Sequence, residues 1–203
     1  MIRSPYVKTI YIKHIDQLYA YALHLGFDEH IAMDAIHDVF YKLCINSALL
    51  EEITNVKFYL FRSLKNRLID IQRKNKEYTE ILSSNEDVYE NISFRLNVTI
   101  EDELIQEEDR EEILRKVENV LSRLTDRQRE VIYLRYIQEY SYEEIAELME
   151  ISVESCRNLT SKAVNKLKET AFFVPQILFI IANLITIVRY FFKYSHAAIA
   201  ANS

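Results

Sequence analysis

The residues with the chemistry to bind a ligand are concentrated between positions 152 and 168. If this stretch is helical, one face carries short hydrogen-bonding side chains mixed with charged ones: Glu154, Ser155, Arg157, Asn158, Ser161, Lys162 and Asn165. Arg, Asn and Ser side chains can pair with base edges in the major groove of DNA. Lys162, Lys166 and Lys168 suit phosphates, which add affinity without sequence information. The pattern fits a DNA-reading helix, and it also fits the ordinary solvated face of a helical bundle.

The elements around this face have clear sequence signals. Thr125 with Gln128 and Ser141 with Glu144 are two capping boxes, each predicting the start of a helix. Ser152 can cap a third helix, on which one buried seam is predicted: Val153, Cys156, Thr160, Ala163 and Leu167. A short helix, a three-residue turn and a longer polar-faced helix form the pattern of a helix-turn-helix.

A second basic stretch spans residues 56–73, where aromatic residues alternate with cations. Its polar residues include Arg62, Lys65, Asn66 and Arg67. Exposed rings can stack on unpaired bases while cations follow the phosphates of a single strand. Alternatively, Phe58, Leu60, Phe61 and Leu64 belong to the core, which we favour, and only the cations reach solvent.

Other chemistry has weaker support. His30, Asp34, His37 and Asp38 fall at helical spacing, but nothing completes a known metal-ligand set. No nucleophile–base pair or pair of carboxylates stands out, so we expect neither an enzyme nor a cofactor. Cys44 and Cys156 share no close spacing and are interpreted as buried thiols in a reducing compartment, which favours a cytoplasmic protein.

The composition restricts the fold class. The 203 residues include one glycine, Gly26, and two prolines, where average usage gives about 14 and about 10. Hairpins and βαβ turns need both residue types, so we expect an all-α protein. Gly26 is placed to end an amphipathic helix that contains Ile15, Leu18 and Ala22.

Charge is segregated along the chain. The net charge is −6, but residues 76–112 alone carry thirteen acidic residues against three basic ones. This zone is interpreted as a solvated linker, or as an extended segment whose carboxylates mimic nucleic acid in a basic channel. Residues 171–192 are almost wholly apolar and predict a hydrophobic C-terminal helix. That helix either spans or anchors to a membrane, or packs on protein through a stripe of polar residues.

Three motifs give the sequence a family resemblance. Residues 32–40 (AMDAIHDVF) and 58–70 (FYLFRSLKNRLID) resemble region 2 of bacterial sigma factors, and residues 124–167 resemble region 4. The chain as a whole resembles a sigma factor of the extracytoplasmic-function (ECF) type. The resemblance implies a region 2 bundle over 8–76, an acidic linker over 77–112, a region 4 helix-turn-helix over 113–170, and an extension over 171–203.

The resemblance also implies roles for individual residues. It implies that Asp34, Asp38 and Phe40 contact the clamp helices of core RNA polymerase. It implies that Asn66 helps to hold a flipped base of the −10 element, beside Arg62, Lys65 and Arg67. The recognition helix then reads the −35 element through residues of its first three turns: Ser152, Val153, Glu154, Ser155, Arg157, Asn158, Ser161 and Lys162.

Glu139 and Glu150 stand where the family commonly has glycine, so the turn at Glu150 is expected to differ in detail. The expected partners are core polymerase, promoter DNA and an anti-sigma factor. The alternative function is a helix-turn-helix regulator that acts without core polymerase.

Overall fold

The computed structural model describes residues 5–46, 53–79, 93–95, 115 and 117–171. The chain divides into two compact units, Met1–Arg95 and Leu96–Ser203. Every regular element in the described residues is helical. The all-α prediction is therefore confirmed.

Three helices build the first unit: α1 (Pro5–His24), α2 (Glu29–Ile45) and α3 (Val56–Thr79). Each packs against the other two. Their shared core is formed by aliphatic and aromatic side chains with at most 5% exposure, among them Leu18, Tyr21, Ile36, Val39, Leu43, Leu60, Phe61, Leu64 and Leu68. Because α3 faces two neighbours, the buried arc around it is wide.

Local signals determine where the first two helices end and begin. Gly26 has a φ of +84°, the left-handed conformation that glycine adopts without steric cost, so its predicted place at a helix end is confirmed. Two residues later, the carboxylate of Asp28 accepts a hydrogen bond from the N–H of Ile31 at 2.9 Å and caps α2. Such a bond satisfies one of the donors that a helix start leaves unpaired.

Residues 93–95, which the sequence places in the acidic linker, pack on the first unit. Phe94 is 1% exposed, and its ring centroid lies 6.5 Å from that of Tyr21 and 5.7 Å from that of His24. The Arg95 N–H donates to the carbonyl of His24 at 2.7 Å. A Cβ at Gly26 would lie 3.1 Å from the Ser93 carbonyl oxygen, so a residue without a side chain favours this close approach. At Phe94, therefore, the linker is not a solvated segment.

The second unit contains helical residues 117–122, then α4 (Asp126–Ile132), α5 (Tyr142–Met149) and α6 (Val153–Ala171). Both predicted capping boxes are present, at the starts of α4 and α5. Helix α6 packs against α4 and α5. Arg129 of α4 donates to the carbonyls of Leu121 and Leu124, at 3.2 and 2.7 Å, and so ties α4 to the preceding helical residues.

Helix α4 continues into a π-helical turn, Tyr133–Ile137, that the sequence analysis does not predict. Gln138 donates from Nε2 to the buried Tyr133 hydroxyl at 2.8 Å, and its N–H donates to the Tyr133 carbonyl. Burial raises the pKa of the Tyr133 phenol, which stays protonated. The turn widens the helix locally, as π-turns do, and leads to Glu139, which has a φ of 62°.

Candidate nucleic-acid interface

The turn between α5 and α6 places the polar face of α6. Glu150 adopts a left-handed conformation, with φ 52° and ψ 48°, and the Ile151 N–H donates to the Ala146 carbonyl at 3.0 Å. Glu150 thus adopts the left-handed backbone conformation although it is not glycine. That conformation costs a non-glycine residue about 1 kcal/mol.

Helix α6 begins as predicted, at a serine cap. The N–H of Ser155 donates to Oγ of Ser152 at 3.0 Å. Its predicted seam is buried at Cys156, Thr160 and Ala163 and half-buried at both ends. Burial raises the pKa of the Cys156 thiol, so this cysteine remains a protonated core residue.

The opposite face of α6 is open to solvent. Seven of the eight predicted −35 readers are exposed, and Val153 is half-buried. The seven are the cap residue Ser152 and, on α6 itself, Glu154, Ser155, Arg157, Asn158, Ser161 and Lys162. Lys166 is engaged within the unit, since its ammonium donates to Oε1 of Gln128 at 3.3 Å and lies 3.5 Å from the Arg123 carbonyl. Lys162 and Lys166, which the sequence treats alike, therefore differ in the structure.

Arg157 is held from the preceding helix. Its Nη2 lies 3.4 Å from Oε1 of Glu143, and its guanidinium carbon lies 5.6 Å from the ring centroid of Tyr142. Tyr142 and Glu143 are the first two residues of α5. Arg157, which the sequence predicts to read a base, therefore contacts the first turn of α5, to which the sequence assigned no part in DNA reading.

Helix α3 presents the second candidate surface. Arg62 and Asn66 are exposed, as the −10 prediction requires. Leu60, Phe61 and Leu64 are fully buried and Phe58 is half-buried, which confirms the core interpretation for the first three. Lys65 is only 4% exposed. Its predicted place on an open −10 surface is wrong, because α3 packs against both other helices and draws this position inside.

Arg67 and Asp38 were predicted to contact different partners, and they contact each other. Nε and Nη2 of Arg67 both lie 2.7 Å from Oδ2 of Asp38. The pair joins α2 to α3 and remains partly open to solvent, with side-chain exposures of 31% for Arg67 and 44% for Asp38. A direct link therefore connects the predicted polymerase surface to the predicted −10 surface.

The outward face of α2 differs from the prediction at one position. Asp34 is exposed, but Phe40 is 5% exposed and makes an edge contact with Tyr11, with ring centroids 4.9 Å apart. Phe40 is thus a core residue and not an accessible polymerase contact. Tyr41 and Ile45 are 66% and 67% exposed. Tyr41 follows His37 by four residues and Ile45 follows Tyr41 by four, and this helical spacing from an outward-facing residue is the sequence signal that would have placed both on the exposed face.

Three further expectations concern metal, thiol and membrane chemistry. Among the described residues, no group of three or more candidate ligands could hold a metal ion. Cys44 is exposed, so its interpretation as a buried thiol is wrong, because it lies beyond the buried arc of α2. No described helix is long and apolar enough to cross a membrane. The apolar segment predicted over 171–192 lies outside the described residues from position 172 onward.

Comparison with known proteins gives consistent matches for both units. Residues 10–78 match the family described as Sigma-70 region 2, and residues 114–167 match Sigma-70, region 4. Over 171 residues the chain is 26% identical to the ECF RNA polymerase sigma factor SigM of Bacillus subtilis (strain 168), which covers 80% of this chain and 93% of that protein.

A solved structure of similar fold is the sigma factor RpoE from Bartonella quintana in complex with the anti-sigma factor NepR. It has a TM-score of 0.56 at 20% identity, and the match covers 82% of this chain and 97% of that one. At this level of identity the likeness concerns the fold.

Proposed function

The chain belongs to the sigma-70 family as a transcription initiation factor of the ECF type, and from this premise we propose how its two units divide promoter recognition. The factor binds core RNA polymerase and directs it to promoters. This membership decides against the alternative of a regulator that acts without core polymerase. The proposal concerns the surfaces and residues that carry each contact.

We propose that α6 reads the −35 element as duplex DNA. The observation that carries this proposal is the continuous exposed face of Glu154, Ser155, Arg157, Asn158, Ser161 and Lys162, which follows a short helix and a three-residue turn. A major groove admits one α-helix, whose first turns reach the base edges. Arg157 and Asn158 are assigned to bases and Lys162 to phosphate.

We propose that the exposed part of α3 binds the separated non-template strand of the −10 element. Asn66 is assigned to the flipped base and Arg62 to phosphate, and both are exposed. Arg67 contributes after its bond to Asp38 loosens. Lys65 is left out of this surface because it is buried.

We propose that core polymerase binds the outward face of α2. This face presents Asp34, His37, Tyr41 and Ile45, with Asp38 at its border. Exposed aromatic and aliphatic side chains at a surface supply apolar area for a partner. Tyr41 and Ile45 therefore take the place that the sequence gave to Phe40.

An anti-sigma factor is proposed as a further partner, since the structurally similar RpoE is solved in complex with one. The proposed place of action is the cytoplasm, where a bacterial polymerase meets its promoters. Promoter selection requires no chemical step by the factor itself, so no enzymatic activity is proposed.

Promoter opening by holoenzyme assembled from purified core polymerase tests the assignment of Asn66 on α3. We expect Asn66→Ala to form holoenzyme normally and to open promoters poorly, measured as permanganate reactivity of unpaired thymines in the −10 region. Asn119→Ala, an exposed asparagine of the second unit, is the matched control and should open promoters like the unchanged factor. Normal opening by Asn66→Ala would contradict the assignment.

A further inference from the structure

Tyr142 lies close to two cationic groups from other elements of the second unit. Its ring centroid is 4.7 Å from the guanidinium carbon of Arg135, in the π-helical turn, and 5.6 Å from that of Arg157, in α6. Both distances fall within the roughly 6 Å over which an aromatic face attracts a cation. Tyr142 is half-buried, and it is the first residue of α5 after the Ser141 cap.

Hydrogen bonds fix the residues on either side of Tyr142. The Ser141 capping box orients the first turn of α5. Arg135 donates from Nη1 to the Tyr140 carbonyl at 2.7 Å, so this guanidinium has a defined place beside the ring. The ring of Tyr142 is therefore supported by groups that do not belong to the exposed face of α6.

Arg157 is the most exposed cation of this cluster. Its side chain is 60% exposed, and it forms an ion pair with Glu143 at a separation of 3.4 Å, in which the Glu143 side chain is 65% exposed. Exposed ion pairs of this kind contribute little orientation by themselves. A guanidinium stacked on the Tyr142 ring keeps the N–H groups along its edge free to donate hydrogen bonds. The Glu143 carboxylate, in contrast, occupies one of these N–H groups.

We propose that Tyr142 is a positioning residue for −35 specificity: its ring face holds the Arg157 guanidinium in the orientation from which it reads a base edge. This inference rests on the proposed role of Arg157. Ordering a long side chain before binding removes part of the entropy that binding otherwise costs. The effect is expected at the base pair that Arg157 contacts, because the other cation on the ring, Arg135, is bonded to the Tyr140 carbonyl and is not assigned to DNA.

The experiment measures specificity and not affinity alone. Holoenzyme is assembled with the full-length factor. A promoter fragment and fragments in which each −35 base pair is changed in turn then compete for it, and discrimination is the ratio of the two affinities. We expect Arg157→Ala to lose discrimination at one base pair. Tyr142→Leu should lose about two- to tenfold discrimination at the same base pair, and Tyr142→Phe, which keeps the ring face, should retain it.

A double-mutant cycle isolates the coupling. In an Arg157→Ala background, Tyr142→Leu should cause no further loss of discrimination. Tyr136→Leu is the matched control, because Tyr136 is an exposed tyrosine of the adjacent π-helical turn. Tyr142→Met is a second apolar replacement for the case in which leucine lowers the Tm.

Two results would overturn the proposal, and they are distinguishable. If Arg157→Ala loses discrimination but Tyr142→Leu weakens binding equally at every −35 variant, the positioning role fails while the reading role of Arg157 stands. If Arg157→Ala leaves discrimination unchanged, the assignment of Arg157 fails and the positioning role fails with it.

Discussion

At the scale of single residues, Lys162 and Arg157 present two different kinds of contact on one helix face. Lys162 is a flexible point charge and Arg157 is a planar fork that can bond a base edge. We expect Arg157→Ala to change discrimination by about 1–3 kcal/mol at one −35 base pair. We expect Lys162→Ala to weaken binding equally at all −35 sequences. It should also reduce the salt slope, which is the slope of the logarithm of the binding constant against the logarithm of the salt concentration, by about one unit. Holoenzyme affinity measured across a salt series checks both expectations.

Lys166→Ala provides the control for Lys162. Because its ammonium donates to Gln128 within the unit, its loss should leave the salt slope of DNA binding close to that of the unchanged factor. Equal reductions of the slope for Lys162→Ala and Lys166→Ala would contradict the distinction that the structure makes between them.

Asp38 and Arg67 connect the surfaces proposed for polymerase and for the −10 strand. Their pair is partly exposed, and such pairs contribute less than about 1 kcal/mol to stability. We therefore expect Asp38→Asn and Arg67→Met to unfold at nearly the normal urea concentration. Asp38→Asn should weaken co-purification with core polymerase, and Arg67→Met should weaken binding of holoenzyme to a single-stranded −10 oligonucleotide.

The control for this pair is Asp70→Asn, which removes an exposed carboxylate of α3 that lies 4.0 Å from Arg73. It should leave polymerase binding unchanged. A large loss of stability in Asp38→Asn, above about 2 kcal/mol, would mean that the pair is structural and that its functional effects follow from unfolding.

At the scale of elements, residues 93–95 pack at the corner between α1 and α2, and this contact stabilises the first unit. Phe94 is fully buried, and truncation of a buried phenylalanine costs about 3–5 kcal/mol. We expect Phe94→Ala to lower the free energy of unfolding of the first unit by about 3 kcal/mol, measured by urea denaturation. Ser93→Ala, at an exposed position, should change it by less than about 0.5 kcal/mol.

The same corner predicts a pH dependence. Burial lowers the pKa of His24 below its ordinary 6.5, although its bond to the Arg95 carbonyl acts in the opposite direction. The unfolded chain therefore takes up the His24 proton at a higher pH than the folded one. Stability of the first unit should be full above about pH 6.5 and fall as the pH decreases through that value.

His24→Gln removes the titrating group and identifies its contribution. In the pH series, the variant should lose less stability between pH 7 and pH 5 than the unchanged protein does. An identical pH profile for the two proteins would assign the dependence to other groups.

At the scale of the whole molecule, the distribution of charge limits binding to DNA without polymerase. The chain carries −6 overall, although the residues outside 76–112 carry a net positive charge. Acidic residues on the same chain repel phosphates and weaken non-specific binding. We expect Glu107→Gln, Glu108→Gln and Asp109→Asn together to raise the affinity of the free factor for duplex DNA at low salt.

Electrophoretic mobility shifts at two salt concentrations measure this effect. The gain should disappear at high salt, where charges more than about 3 Å apart are screened near 1 M. Glu118→Gln with Glu147→Gln and Glu169→Gln is a control with the same change in net charge outside the acidic zone and off the DNA-reading face of α6. A gain as large in this control would assign the effect to net charge and not to the acidic zone.

The amino-acid sequence by itself determined the fold class and the ends of several helices. Scarcity of glycine and proline excludes most β architectures. Helix starts and ends depend on interactions over three or four residues, so a short stretch of sequence contains everything needed to predict them. This holds for the capping boxes at Thr125 and Ser141 and for the turn at Gly26. The exposed face of α6 was predictable for the same reason, since one seam with helical spacing leaves one face for solvent.

Only the tertiary structure decided which side chains are accessible and which distant residues meet. Helical spacing says which residues share a face, but the width of the buried arc depends on how many helices pack against it. That is why Phe40 and Lys65 are buried and Cys44 is exposed. Three contacts join residues 15 to 73 positions apart: Phe94 on Tyr21, Asp38 with Arg67, and Arg157 over Tyr142. Local propensity carries no information about such pairs, because they form only when segments distant in sequence pack together.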